Sequence, residues 1–192
     1  MIKDSVKITP RMLKYLKVPQ DNQTMETISL LLEESLTLID IKKWFNRVPV
    51  DEFYETFSPY ARESQSITKL LREAEKVWLI AVSLGENLEF RSRGYFRNNE
   101  VFRGYILDRL GSFLIEEEVK KIDRTISQEC QRDNLTTTQR YSPGYGDFSI
   151  KAQQIFFNLA KDYIYGLRIS SGSILFPEKT VTVIKGVIKR HP

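Results

Sequence analysis

Six consecutive apolar residues, Val77-Trp78-Leu79-Ile80-Ala81-Val82, lead to a stop at Gly85. A run this short has strand length, and a strand without polar alternation is covered on both faces. It predicts a sheet with this segment at its centre. It is also the longest apolar run, far short of the ~20 residues of a membrane helix, so no membrane partner is expected. The start, Met1-Ile2-Lys3-Asp4, has no apolar stretch and predicts no signal peptide, hence a cytoplasmic protein.

Around that strand the periodicity is helical. Thr9-Pro10 reads as N-cap and first residue of a short helix with Met12, Leu13 and Leu16 on one face. A second helix, 24–39, places Ile28, Leu31, Leu32, Ser35/Leu36 and Ile39 at i, i+3, i+4, i+7, i+8, i+11. Residues 41–57 read as strand and turn around Pro49. Ser66 reads as the cap of a two-turn helix ending near Ala74.

A long helix is expected from about 99 to 130, with Val101, Tyr105, Leu110 or Leu114, Val119, Ile122 and Ile126 as its buried stripe. Gly104 and Gly111 share one face of it, where missing Cβ atoms allow close approach. Its end is the polar run 133–139. Ser149 caps a further helix with Ile155, Phe156, Leu159 and Tyr163 on the core side and Gly166 as its stop. Two strands, 173–176 and 180–184, follow around a turn at Pro177-Glu178-Lys179. The expected architecture is one compact α+β domain over 1–192, with an N-terminal helical or irregular part (1–60) and a core (61–192).

Composition narrows the chemistry. The single cysteine, Cys130, makes no internal disulfide and holds no iron–sulfur cluster. The single histidine, His191, leaves no Cys/His zinc site and no Ser-His-Asp triad. The net charge of +4 is small and spread along the chain, so nucleic acid is not an expected partner. Lys185, Lys189 and Arg190 read as a solvated tail or strand face. No G-x-G-x-x-G, P-loop or G-x-S-x-G motif is present, and no catalytic residue or metal site is assigned.

The segment that stands out is Arg140-Tyr141-Ser142-Pro143-Gly144-Tyr145-Gly146-Asp147. Pro-Gly presets a tight turn, Gly144 leaves backbone bare, and Arg140 offers a planar fork for a carboxylate or phosphate. The same residues also fit a plain type II turn whose arginine holds a local carboxylate such as Asp147. In the acidic run Glu116-Glu117-Glu118 the side chains lie 100° apart on a helix, so one can face inward while the others are solvated.

These residues give the chain its resemblance to the S-adenosylmethionine-binding reactivation (activation) domain of cobalamin-dependent methionine synthase, in a stand-alone form. Arg140, Gly144 and Tyr145 match that family's R-x-x-x-G-Y signature. Ala81-Val82-Ser83-Leu84-Gly85 resembles its strand ending in Leu-Gly, and Phe102-Arg103-Gly104-Tyr105-Ile106-Leu107-Asp108 with Gly111-Ser112 the start of its long helix. Pro177 and Thr180-Val181-Thr182 resemble its C-terminal P-x-x-S-V-S pattern. The likeness covers about 73 to the C-terminus well and the first part more weakly.

The resemblance implies a mainly antiparallel twisted sheet flanked by helices. It also implies a role in rescue: the domain presents S-adenosylmethionine while a flavodoxin-type donor supplies an electron, and oxidised cob(II)alamin is remethylated. Arg140 would pair with the ligand carboxylate, Gly144 would allow close backbone contact, and Tyr145 would pack on or hydrogen-bond to the ligand. Glu116 would balance its cationic amino or sulfonium group. Where the family has an aromatic ligand contact after the last strand motif, this chain has Lys185. It also lacks the family's D-x-H-x-x-G cobalamin module, so it would act in trans on the cobalamin of methionine synthase or a related corrinoid methyltransferase. The alternative is a structural or docking subunit of such an enzyme that kept the fold and lost the ligand.

Overall fold

A computed structural model describes residues 7–189; the expectations for the chain's start, Arg190 and His191 lie outside them. In chain order the elements are α1 (Pro10–Leu16), α2 (Asn22–Leu38), β1 (Lys42–Pro49), α3 (Val50–Thr56), α4 (Tyr60–Glu63), α5 (Gln65–Leu70) and β2 (Ala74–Ser83). They continue with α6 (Asn87–Arg97), α7 (Val101–Arg132), β3 (Leu135–Thr137), a 3₁₀ turn (Ile150–Ala152), α8 (Gln153–Ala160), β4 (Arg168–Ile169), β5 (Leu175–Phe176) and β6 (Thr180–Lys189).

The apolar run is the heart of β2, which pairs antiparallel with β1 on one side and β6 on the other. The four-stranded order is β1-β2-β6-β3, all neighbours antiparallel. Alternation along β2 divides the core in two. Ile80 and Val82, with Val183 and Val187 of β6, pack beneath α7 (Leu110, Leu114, Ile122) together with Met12 and Leu16 of α1 and Ile28 and Leu31 of α2. Val77, Leu79 and Ala81 face Phe53, Phe57, Ile67, Phe148 and Phe156. Each such fully buried side chain is worth roughly 1.5–3 kcal/mol relative to exposure, so both sheet faces are held.

Several sequence expectations are corrected. The second half of 41–57 is helical, as α3. The cap of α5 is Ser64, whose hydroxyl accepts from Ile67 N at 3.1 Å, and not Ser66. Residues 87–97 form α6, a helix that the periodicity did not announce. The long stripe begins one turn late: Val101 and Tyr105 are exposed, and Tyr105 Oη donates to Leu16 O instead. Tyr163 lies beyond α8 and is exposed. β5 pairs with β4, while β6 joins the main sheet and runs on to Lys189. Lys185 is buried, not solvated: its ammonium meets Asp123 and Ser127 of α7.

The paired glycines of α7 act as expected. A Cβ on Gly104 would lie 3.0 Å from the Phe96 ring and one on Gly111 2.6 Å from Leu88 Cδ2, both side chains belonging to α6.

Candidate functional site

The stretch after β3 carries the residues singled out in the sequence. Thr138 N donates to Gly186 O at 3.0 Å, and Tyr141 exchanges both backbone hydrogen bonds with Ile184 (3.0 and 2.8 Å). The chain thus continues along β6 past the end of β3, bringing Arg140 beside the sheet. It then leaves β6. From Val183 back to Thr180 no strand among the described residues covers that edge. By the antiparallel alternation that turns Ile184 outward, Thr182 offers its own N–H and C=O to the open edge.

The turn that follows is the expected one. Tyr145 N donates to Ser142 O at 3.2 Å, and Gly144 sits at φ +91°, the conformation a type II turn requires after proline. Gly144's bare side faces Ile150, whose Cδ1 a Cβ would meet at 2.9 Å. The turn is pinned by the Tyr141–Ile184 bonds on one side and by Asp147 and Phe148 on the other. Phe148 is buried in the second core cluster, and the Asp147 carboxylate accepts from Ser64 Oγ and Gln65 N, each at 2.7 Å, and from Ser66 N. These contacts at the start of α5, chiefly the Ser64 hydroxyl and then Ser66, hold the Asp147 carboxyl at about 2, below its ordinary 3.8. The reading in which Arg140 holds Asp147 is therefore overturned: Asp147 accepts from the cap and first N–H groups of α5, and Arg140 points elsewhere.

Arg140 reaches α7, where its Nη2 lies 3.1 Å from Glu116 Oε2. Of the three consecutive glutamates, the one turned fully inward is Glu118, which pairs with Lys43 of β1. Glu116 is half-buried and lines a cavity of about 430 Å³ with Arg140 and Tyr145. Three of the four expected ligand contacts therefore border one space, while Gly144 does not line it and turns its bare side to Ile150. That volume lies in the roughly 300–1,000 Å³ range of small-molecule sites.

Sequence reasoning had not assigned the rest of the lining. Thr180–Val183 of β6 form one wall, and Gln153 of α8 closes another, accepting from Thr182 Oγ1 at 2.7 Å. For Thr180–Val183 the signals are the Thr-Val-Thr alternation and its likeness to a C-terminal strand pattern, which mark a strand but not an open edge, and nothing in the sequence marks Gln153. Lys185 is not part of this wall, being turned to Asp123. Chemically the cavity offers a cation, an anion 3.1 Å away, a bare strand edge and an exposed tyrosine ring. Among the described residues no group of three His, Cys, Asp or Glu side chains is gathered for a metal ion.

No protein-family model matches the chain, and no curated protein matches it by sequence. Its fold is similar to that in the crystal structure of the MetH reactivation domain bound to AdoHcy, with a TM-score of 0.61 and 12% identity, over 98% of this chain and 72% of that one. The fold is thus that of a reactivation domain: an antiparallel sheet flanked by helices. No helix among the described residues is long and apolar enough to cross a membrane.

Proposed function

We propose that the cavity between α7, the 139–145 segment and β6 binds S-adenosylmethionine, and that the chain presents its methyl group for reactivation of a cobalamin-dependent methyltransferase. The observation that carries this reading is the Arg140–Glu116 pair within the cavity. An α-amino acid end is a carboxylate beside an ammonium. A guanidinium beside a carboxylate is its electrostatic complement, and each half can exchange its internal partner for a ligand group. The MetH reactivation domain supports the reading by sharing the fold and having AdoHcy bound.

Within this proposal, Arg140 takes the ligand carboxylate in a charge-assisted fork and Glu116 takes the ammonium or sulfonium. The open edge at Thr182 supplies backbone hydrogen bonds, and Tyr145 covers the ligand from solvent. Gly144 keeps the turn tight enough to carry both Arg140 and Tyr145. The protein's contribution is placement and exclusion of water.

The chain's own donors do not fit a bound cobalamin. The described residues include no histidine, the sequence lacks a D-x-H-x-x-G module, and Cys130 is buried. We propose that the cobalamin, with an electron from a flavodoxin-type donor, is carried by methionine synthase or another corrinoid methyltransferase, on which this protein acts in trans in the cytoplasm. The second reading, a structural or docking subunit without ligand, is favoured by Lys185: where the family has an aromatic contact, this side chain is buried against Asp123.

Thermal unfolding with and without S-adenosylmethionine and S-adenosylhomocysteine tests the proposal. A ligand at 100 times its dissociation constant stabilises the fold by about 2.7 kcal/mol, so a dose-dependent rise in Tm is expected with both. No shift at millimolar ligand favours the structural subunit.

A further inference from the structure

Glu116 also borders a second cavity, of about 560 Å³, between α1 and α7. Arg11, Lys14 and Lys17 enter it from α1 and its C-terminal cap, and Arg109 and Lys120 from α7. On α7, residues 109, 113, 116 and 120 share a face at i, i+4, i+7 and i+11, and on α1 residues 11, 14 and 15 do the same. The cations are therefore gathered by both helices.

Five cations meet few anions here. Glu117 bridges Arg11 (3.0 Å) and Lys120 (3.3 Å), and Glu116 is engaged by Arg140. Lys14, Lys17 and Arg109 have no ion-pair partner among the described residues. Gathering like charges in a concave site is unfavourable unless an anion joins them. Arg109 is moreover held in place. Its guanidinium lies 4.2 Å from the Tyr15 ring centroid, and its Nη2 donates to Tyr15 O at 2.5 Å. Tyr15 and Phe113 contact each other at 5.6 Å, and Arg11 sits over Phe113. With an arginine over each ring, the cavity offers charge rather than an aromatic stack.

We infer that this cavity binds a small molecule through a pyrophosphate-type anion, with Arg109 as the preorganised fork and Lys14 and Lys17 as mobile point charges. Two adjoining phosphoryl groups suit cations spread over two helices better than a single carboxylate does, and arginine and lysine serve such groups in these two ways. The inference stands on this cavity alone and does not depend on what the first cavity binds.

The test is calorimetric titration of the full chain with inorganic pyrophosphate at low ionic strength, where charge pairs are least screened, with parallel titrations of ADP and a short polyglutamate. The variants are Lys14→Gln/Lys17→Gln, at two exposed positions, Arg109→Gln, and Lys161→Gln, at an exposed position outside this cavity, as control. One saturable site is expected, weakened about tenfold or more by the double lysine variant and by Arg109→Gln, and unchanged by Lys161→Gln. ADP binding within a few-fold of pyrophosphate shows that the diphosphate is what is read, and much tighter ADP binding identifies a nucleotide as its source; either supports the inference. It is overturned if no saturable binding occurs, if Lys161→Gln weakens binding as much as the others, or if polyglutamate displaces pyrophosphate at lower concentration, which would make the cavity a seat for an acidic polypeptide.

Discussion

Arg140 Nη2 lies 3.1 Å from Glu116 Oε2, joining residues 24 positions apart at the mouth of one cavity. Neither side chain reaches that place alone. Arg140 is delivered by the hydrogen-bonded run along β6, and Glu116 by the register of α7 against the sheet. Both groups are substantially solvated, so their mutual attraction is modest, on the order of 0–1 kcal/mol. A pair that gives little stability is easily opened by a ligand with the same two charges. For that reason Glu116→Gln should leave the free energy of unfolding in urea within about 0.5 kcal/mol of the parent, while weakening S-adenosylmethionine binding.

Asp147 sets how the loop responds to acid. Its carboxyl is held at about 2 against an ordinary 3.8, so the folded state prefers it ionised. Its contribution is complete above pH 4, begins to fall as the unfolded chain's carboxyl takes up its proton, and is gone below about 2. Urea midpoints measured across pH 2–5 should therefore fall less steeply with acid in Asp147→Asn than in the parent, with the variant less stable at neutral pH. Equal slopes would show that the cap does not carry the acid response.

Lys185 predicts an asymmetry between the two halves of one ion pair. Its side chain is 4% exposed and that of Asp123 31%. Asp123→Ala leaves a buried ammonium with only Ser127 Oγ at 2.9 Å, and should cost about 2–4 kcal/mol. Lys185→Met removes the buried charge and leaves a carboxylate that water can reach, so it should cost less than half as much in urea unfolding. The reverse order would mean that Lys185 is not desolvated as the structure has it.

At Gly111 the distance to α6 is the quantity tested. Gly111→Ala puts a Cβ 2.6 Å from Leu88 Cδ2 and 3.2 Å from Lys179 Cε, so the buried Leu88 side chain must shift, alone or with α6. Despite alanine's better helix propensity, the variant should lose about 1–3 kcal/mol by overpacking, read from the same denaturation. A stabilised variant would show that α6 gives way freely.

What the sequence revealed and what it hid follows from period and from charge. The apolar run of β2 was legible because both its faces are covered, and the 3.6-residue stripes of α2 and α7 because one face of each helix is largely buried. α6 was not: it buries Leu88 and Tyr95 but leaves Phe90 and Phe96 exposed, so apolar residues mark no single face. The sequence pattern ends β6 before Lys185 because a lysine does not announce burial, and Asp123, 62 positions away, together with Ser127 makes it tolerable there. β3 hid in a threonine-rich run that reads as loop until β6 pairs with it. The Pro143-Gly144 turn was visible in its own residues. The Arg140–Glu116 pairing was not, since local sequence offered Asp147 as a nearer carboxylate; only Ser64 and the start of α5 take Asp147 away.

The account's central claim is tested most directly by isothermal titration of S-adenosylmethionine into the purified chain and into Arg140→Ala. The parent should bind at one site. The variant, having lost a charge-assisted partner for the ligand carboxylate, should bind weaker by ~2 kcal/mol or more, about thirtyfold. Binding that is unchanged in Arg140→Ala, or no binding by the parent at millimolar ligand, would contradict the claim that this cavity holds the ligand.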